Sequence, residues 1–254
     1  MPKPFLNSRL RRTTRMAVMF LALLCASAWA DTRLSLEGGA VWTLRNDVRI
    51  PNNREADRFP LEDISGQGPA PYLRVSLDRA LNDRHGLRVV IAPLRVEGSS
   101  RLEQTLRFAG EDFGPGRTRA NYQFDTYRLS YRYTLRDNAD HSLYVGGTLL
   151  VRDAEIRLRQ GSADARDTDL GAVPLLHLSG DYRILGDWWL GFDSDALVGP
   201  NGRAIDIGTR LEYAVHDELR LFAGMRILDG GADNDSVYTF ARFSFFNLGA
   251  SWQF

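Results

Sequence analysis

Apolar and polar positions alternate with a period of two along most of this chain. Ten extended segments follow from that alternation, over 33–50, 70–81, 87–108, 118–136, 141–160, 168–185, 188–198, 203–215, 219–228 and 237–254. Successive side chains of a strand point to opposite sides, so each segment predicts a strand with one greasy and one polar face. The last is the clearest: Phe246, Leu248, Ala250, Trp252 and Phe254 share one side, and Asn247, Gly249, Ser251 and Gln253 the other. The connections alternate too. Residues 51–69, 109–117, 161–167, 199–202 and 229–236 read as loops, and 82–86, 137–140, 186–187 and 216–218 as tight turns. Loops at one end and turns at the other, with an even strand number, predict an all-β, antiparallel transmembrane β-barrel of ten strands. The short link between the seventh and eighth segments leaves eight or twelve as alternatives.

Several segments exceed the roughly 9–11 residues that a bilayer crossing needs, so the third, fourth and fifth are expected to project beyond the membrane. Their apolar side switches around Pro93 and again at Arg152-Asp153. Both switches predict β-bulges, the first because proline cannot donate to a ladder.

The outward faces include Tyr127, Leu129, Tyr131, Tyr133 and Leu135; Leu176, Leu178, Tyr182 and Ile184; and Ile205, Ile207, Leu211, Tyr213 and Val215. Tyr131, Tyr133, Tyr182, Trp188, Tyr213 and Trp252 fall near the turn ends, where an aromatic girdle meets lipid headgroups. The inward faces carry Arg74, Ser76 and Asp78; Arg128, Ser130 and Arg132; His177, Ser179, Asp181 and Arg183; Asp193 and Asp195; Asp206, Arg210 and Glu212; and Arg220 and Arg226. Ten strands enclose a narrow lumen. Charges confined there must pair, which predicts a closed, salt-bridged interior, with a small gated pore as the alternative.

Composition supports this placement. Arg9, Arg11, Arg12 and Arg15 precede an apolar run over 16–26 and an Ala28-Trp29-Ala30 cleavage signature, so residues 1–30 read as a signal peptide and 31–254 as the barrel. The run is too short for a spanning helix. Arg11-Arg12 lacks a twin-arginine continuation, and Leu24 stands where a lipobox before Cys25 needs a small residue. With Cys25 in the leader, no disulfide is expected. Lys3 and the four arginines are five of 32 basic residues, leaving 27 against 32 acidic ones, a net of −5 that argues against nucleic-acid binding.

In size, leader, strand grammar and terminal Phe254, the chain resembles the small outer-membrane barrels of the OmpA and OmpW type. The resemblance implies a monomer in the bacterial outer membrane, surrounded by its lipid and lipopolysaccharide, with Phe254 read by the barrel assembly machinery. It also implies a non-catalytic role in envelope integrity, surface interaction or restricted passage of small solutes. No cofactor or metal is expected.

The competing expectation is enzymatic. His177-x-Ser179 places a base beside a hydroxyl on one strand face. The spacing is similar to the His-x-Ser of the lipid A 3-O-deacylases, barrels with a His–Ser–Glu triad. Here the pair is predicted to face the lumen, and Asp193 and Asp195 are the nearest carboxylates in place of the Glu. Asp193-x-Asp195 is similar to the paired carboxylates of the omptin proteases, but the matching Asp-x-His is absent from any predicted outer rim: Asp83-Arg84-His85 lies in a turn, as do His141 and His216. Asp229, Asp233 and Asp235 form an acidic Gly-rich loop without EF-hand spacing. Arg49, Arg54 and Arg58 of the first loop are expected to face outer-leaflet phosphates.

Overall fold

The computed structural model describes residues 31–254; the leader, with Cys25, lies outside them. Fourteen strands and one short helix follow in order: β1 (Thr32–Arg49), β2 (Phe59–Pro60), α1 (Glu62–Ser65), β3 (Ala70–Ala80), β4 (His85–Ala92), β5 (Arg95–Leu102), β6 (Leu106–Phe108), β7 (Glu111–Phe113), β8 (Gly116–Asp137), β9 (His141–Gln160), β10 (Ala163–Leu185), β11 (Trp188–Gly199), β12 (Gly202–His216), β13 (Leu219–Asp233) and β14 (Tyr238–Gln253). Among the described residues the barrel wall has ten staves, because β4 and β5 lie end to end against β8. Each stave is antiparallel to its neighbours, and β14 pairs with β1 to close the cylinder. Closure removes the free edges that would otherwise template aggregation. Both ends of the described chain meet at the turn end, where Phe254 N–H donates to the Thr32 carbonyl at 2.8 Å.

The loops differ from expectation in two respects: the third expected segment leaves the wall at Leu102, its end at 106–108 pairing with β7 in a separate hairpin, and two expected loops are strand. Residues 161–167 are not a loop: β9 and β10 continue their ladder to Gln160 opposite Ala163, across a two-residue turn. Likewise β13 runs on to Asp233. Both stretches carry charge on their exposed side and small residues such as Ala165 on the other, so alternation of polarity is muted although the backbone is extended.

Neither expected bulge is present. Ala92 pairs with Thr126 and Arg95 with Gln123 in one unbroken register, and the β8–β9 and β9–β10 ladders pass through Arg152 and Asp153 without a shift. The same residues keep facing inward; the surroundings change instead. Toward the turn end, the outward side holds exposed Leu129, Leu149 and Leu176, while Arg88, Arg128 and His177 are buried inside. Toward the loop end, Leu94, Val96, Tyr122, Ile156 and Leu158 are buried inside, while Arg95, Arg117, Arg119 and Arg159 stand outside. The inversion falls on one row of cross-strand partners, Ala92, Thr126, Arg152 and Gly171. An apolar outer wall around a polar lumen gives way to a charged outer wall around an apolar core. A bulge does occur near this level, between Thr43 and Arg45 of β1.

The apolar core is closed by loops folding inward. Strand β2 pairs with β1, and α1 packs on β5 so closely that a Cβ at Gly98 would sit 2.2 Å from the Ser65 carbonyl oxygen. The β6–β7 hairpin contributes Phe108 and Phe113, which join Val48, Leu61, Leu158 and Phe243 in complete burial. Phe59 meets Phe108 edge-on at 6.0 Å. Backbone bonds tie the two loops together, from Asp57 N to Arg107 O at 3.1 Å and from Ala109 N to Ile50 O at 2.9 Å.

Candidate functional site

Below the apolar core, the inward faces assemble an ionic layer. Arg226 reaches Asp193 at 2.8 Å and Asp206 at 2.6 Å, and Arg128 reaches Asp195 at 2.8 Å and Asp206 at 2.5 Å. Arg74 approaches Asp206 and Asp193 at 3.4 and 3.5 Å. These side chains come from β3, β8, β11, β12 and β13, so the layer spans the lumen rather than lining one wall. Small residues make room for it: a Cβ at Gly208 would lie 2.7 Å from an Arg226 nitrogen. Closer to the turn end, Arg210 pairs with Asp181 at 3.1 Å and with Glu212, Arg220 pairs with Glu212 at 3.4 Å, and Arg132 pairs with Asp78 at 2.7 Å. Several carboxylates therefore answer more than one guanidinium, the arrangement a buried charge needs.

Arg183 is the exception among the sequence-derived lumen charges. It is exposed at the turn-end mouth, 3.8 Å from Asp140, and lies 4.7 Å over the Trp189 ring. Its strand slips register there, between Arg183 and Leu185, beyond the packed lumen. Arg220 covers the same ring at 4.1 Å. Sequence reasoning also missed Glu37, Arg33 and Arg88. Glu37 lies 3.7 Å from Arg226, Arg33 reaches Asp181 at 3.3 Å, and Arg88 lies 3.6 Å from Asp78. The signal was there for Arg88, which alternates with Leu87, Val89 and Ile91.

Within the layer, three residues form a directional chain. His177 and Asp195 are direct partners across β10 and β11. The His177 Nδ1 lies 2.8 Å from Asp195 Oδ1, and its Nε2 lies 3.0 Å from Ser179 Oγ. With Nδ1–H donating to the carboxylate, Nε2 is left to accept the Ser179 hydroxyl proton. Thr148 and Arg128 donate to the same carboxylate at 2.7 and 2.8 Å, fixing its orientation. The three are 2, 5 and 3 % exposed for His177, Ser179 and Asp195, so the group belongs to the lumen and not to the lipid-facing wall. Ser179 nevertheless lines a polar cavity of about 480 Å³ whose other walls include Arg33, Asp78, Arg88, Arg132 and turn residues Asn82, Asn138 and His141. The cavity thus runs from Ser179 toward the turn end.

The other candidates separate. Asp193 and Asp195 lie beneath the apolar core and are engaged by arginines, away from any rim. Asp229 is held by Arg203 and Arg242 at 2.6 and 2.5 Å, whereas Asp233 accepts from Asn52 at 3.0 Å, so these carboxylates diverge. Among the described residues, no group of three or more acidic, His or Cys side chains is placed to hold a metal. Arg58 of the first loop is taken up by Asp47 at 3.0 Å and the Tyr238 hydroxyl at 2.6 Å. Tyr131, Tyr182, Trp188, Tyr213 and Trp252 are exposed on the outer wall near the turns, with Tyr133 partly covered. Histidines at the turn-end strand termini pack on them: His85 Nδ1 lies 2.6 Å from the Tyr131 hydroxyl, His141 is tilted against Tyr182, and His216 meets Trp252 edge-on.

No protein-family model matches the sequence, and no curated protein matches it. Solved structures do. The outer membrane protease OmpT from Escherichia coli superposes with a TM-score of 0.58 at 10% identity, over 88% of this chain and 97% of that one. Looser matches include the NanC porin, with a TM-score of 0.42 at 12% identity over 87% of this chain and 100% of that one. Another is Ail, the attachment invasion locus protein of Yersinia pestis, at 0.37 and 10% over 88% and 99%. The chain has the closed antiparallel barrel of the small bacterial outer-membrane β-barrels, and at such identity the likeness is one of fold.

Proposed function

We propose that the protein is a closed, non-conducting barrel of the bacterial outer membrane, monomeric and non-catalytic in its main role. That role is to the envelope: it spans the lipid and presents a compact cap at the loop end, on the outer side. The observation that carries this reading is closure twice over. The ionic layer about Arg226 and Arg128 spans the lumen, and the apolar core about Phe108 and Phe243 fills the half above it. The exposed apolar wall and the aromatic rings near the turns support lipid on the outside, including lipopolysaccharide. Phe254, stacked 6.4 Å from Trp252 at the turn end, is the residue offered to the assembly machinery. Purified protein added to planar bilayers is expected to give no conductance steps in concentrated KCl. Stable ohmic steps that depend on the folded protein would refute the closed reading.

A second reading rests on the Ser179–His177–Asp195 chain. With a base on its hydroxyl and a carboxylate behind the base, Ser179 has the activating partners of a nucleophile. Its cavity admits a small ester from the turn end. A lipid A acyl chain lies outside the wall and has no line to it. A fluorophosphonate probe separates the two readings. On the non-catalytic reading, folded protein stays unlabelled and the lipid A mass profile is unchanged by the chain. Labelling at Ser179 that vanishes in His177→Ala, with folding verified, would establish the hydrolytic one.

A further inference from the structure

Outside the barrel, beyond the row where the faces invert, six arginines share one patch of wall. They are Arg101 of β5, Arg117 and Arg119 of β8, Arg157 and Arg159 of β9, and Arg166 of β10. They alternate with buried Thr118, Ala120, Ile156, Leu158 and Ala165, so they project away from the core. The ladder sets like against like. Arg101 is opposite Arg117, Arg119 is opposite Arg159, and Arg157 is opposite Arg166. Directly opposed side chains on one face lie about 5 Å apart, and like charges there destabilise the pair.

Elsewhere the outer wall gives its arginines carboxylate partners, even where two stand opposite each other, as Arg45 and Arg242 do. Arg95 pairs with Asp125, Arg203 and Arg242 with Asp229, and Arg45 and Arg58 with Asp47. In the patch, Asp164 answers Arg157, whose hydrogen bond holds that carboxyl below its usual range, and Arg117 donates to Ser99 at 3.1 Å. Asp164 also stands opposite Arg159 and feels the charges of Arg159 and Arg166, so one carboxylate faces three guanidinium groups, while Arg101, Arg119, Arg159 and Arg166 form neither a hydrogen bond nor a salt bridge among the described residues. An anion between opposed guanidinium groups turns the repulsion into attraction, and planar guanidinium forks match phosphate oxygens two at a time.

We propose that this patch binds phosphate groups on the saccharide headgroup of an outer-leaflet glycolipid. The patch faces sideways, on the same staves that carry the exposed apolar wall of Leu129, Leu149 and Leu176. A lipid standing against that wall would carry its headgroup up along the arginines. Arg157 is six residues beyond Val151, the last apolar outward residue of β9, or roughly 20 Å along the strand. That height suits phosphates on sugars rather than the phosphate of a simple phospholipid. The proposal rests on the outer-membrane placement given above.

The test uses the full chain folded in detergent, with folding established beforehand by heat-modifiable gel migration. Failure to bind is then separable from failure to form a membrane barrel. Thermal melting is followed with purified lipopolysaccharide, with the same lipid after chemical removal of phosphate, and with soluble inositol hexakisphosphate. Wild type is expected to melt several degrees higher with intact lipopolysaccharide. The phosphate-stripped lipid, and the double variant Arg119→Ser/Arg159→Ser with intact lipid, are expected to bind at least 10-fold more weakly. Arg203→Ser, which removes a paired wall arginine, leaves binding unchanged. Without any glycolipid, the double variant should melt no lower than wild type, because it relieves an opposed pair. Equal binding by the double variant, or by the stripped lipid, would overturn the site. Tighter binding of inositol hexakisphosphate than of the lipid would overturn its assignment to the leaflet.

Discussion

Arg226→Ala is expected to cost the folded barrel about 3–5 kcal/mol. The guanidinium stands between Asp193 and Asp206 at 2.8 and 2.6 Å, and truncation leaves both carboxylates buried with fewer positive partners. Arg74 and Arg128 remain, but each already serves two carboxylates. Urea unfolding from lipid vesicles, followed by tryptophan fluorescence, measures the loss. Arg242→Ala gives the contrast. Its side chain is half exposed on the outer wall, where an ion pair contributes under about 1 kcal/mol. If both variants lost similarly little, the lumen layer would be wet enough to screen its own charges.

The second large effect belongs to the other closure. Phe108→Ala removes a fully buried ring from the loop-end core and is expected to cost about 3–5 kcal/mol. The loss should be local, because the hairpin reaches the wall through the packed core and not through the main ladder. Trypsin cleavage after Arg107 in the folded protein reads it directly: the variant is nicked quickly, and wild type resists. Conductance should stay absent in the variant, since the ionic layer lies below and is untouched. A variant that conducts would show that the apolar core alone closes the barrel.

The staves are legible where alternation is strong: the inward set from Arg74 to Arg226, Arg183 apart, follows from period two, whereas 161–167 and 229–233, where alternation is muted, read as loops. His177 and Ser179 were visible as neighbours for the same reason. Asp195 needed the β10–β11 register to be singled out from Asp193, and Thr148 needed β9 beside β10. The apolar switches near Pro93 and Arg152 imitate bulges in the sequence because a change of polarity on one face looks the same as a change of direction. Polarity labels direction only while the surroundings on each side stay the same, and here the polarity of both faces reverses at one row. The loop-end core was illegible for a different reason. Phe59, Leu61 and Phe113 come from connections and Phe108 from the expected end of the third segment, and nothing local in 51–69 or 103–115 says that these stretches fold back into the lumen.

On the outer-membrane placement proposed above, that row of Ala92, Thr126, Arg152 and Gly171 also fixes the height of the barrel in the bilayer. Were the barrel to sink, the arginines beyond the row would enter hydrocarbon, at about 2–4 kcal/mol each near the midplane and less toward the interface. Were it to rise, Leu129, Leu149 and Leu176 would meet water, at roughly 25 cal/mol for every Å² uncovered. Both displacements are uphill, and a closed cylinder cannot bend to relieve them. The lipid is the softer partner, since thickness mismatch costs it only fractions of a kcal/mol per Å. On that placement, the lipid in contact with the wall adjusts its outer surface to this row more readily than the barrel shifts to meet it.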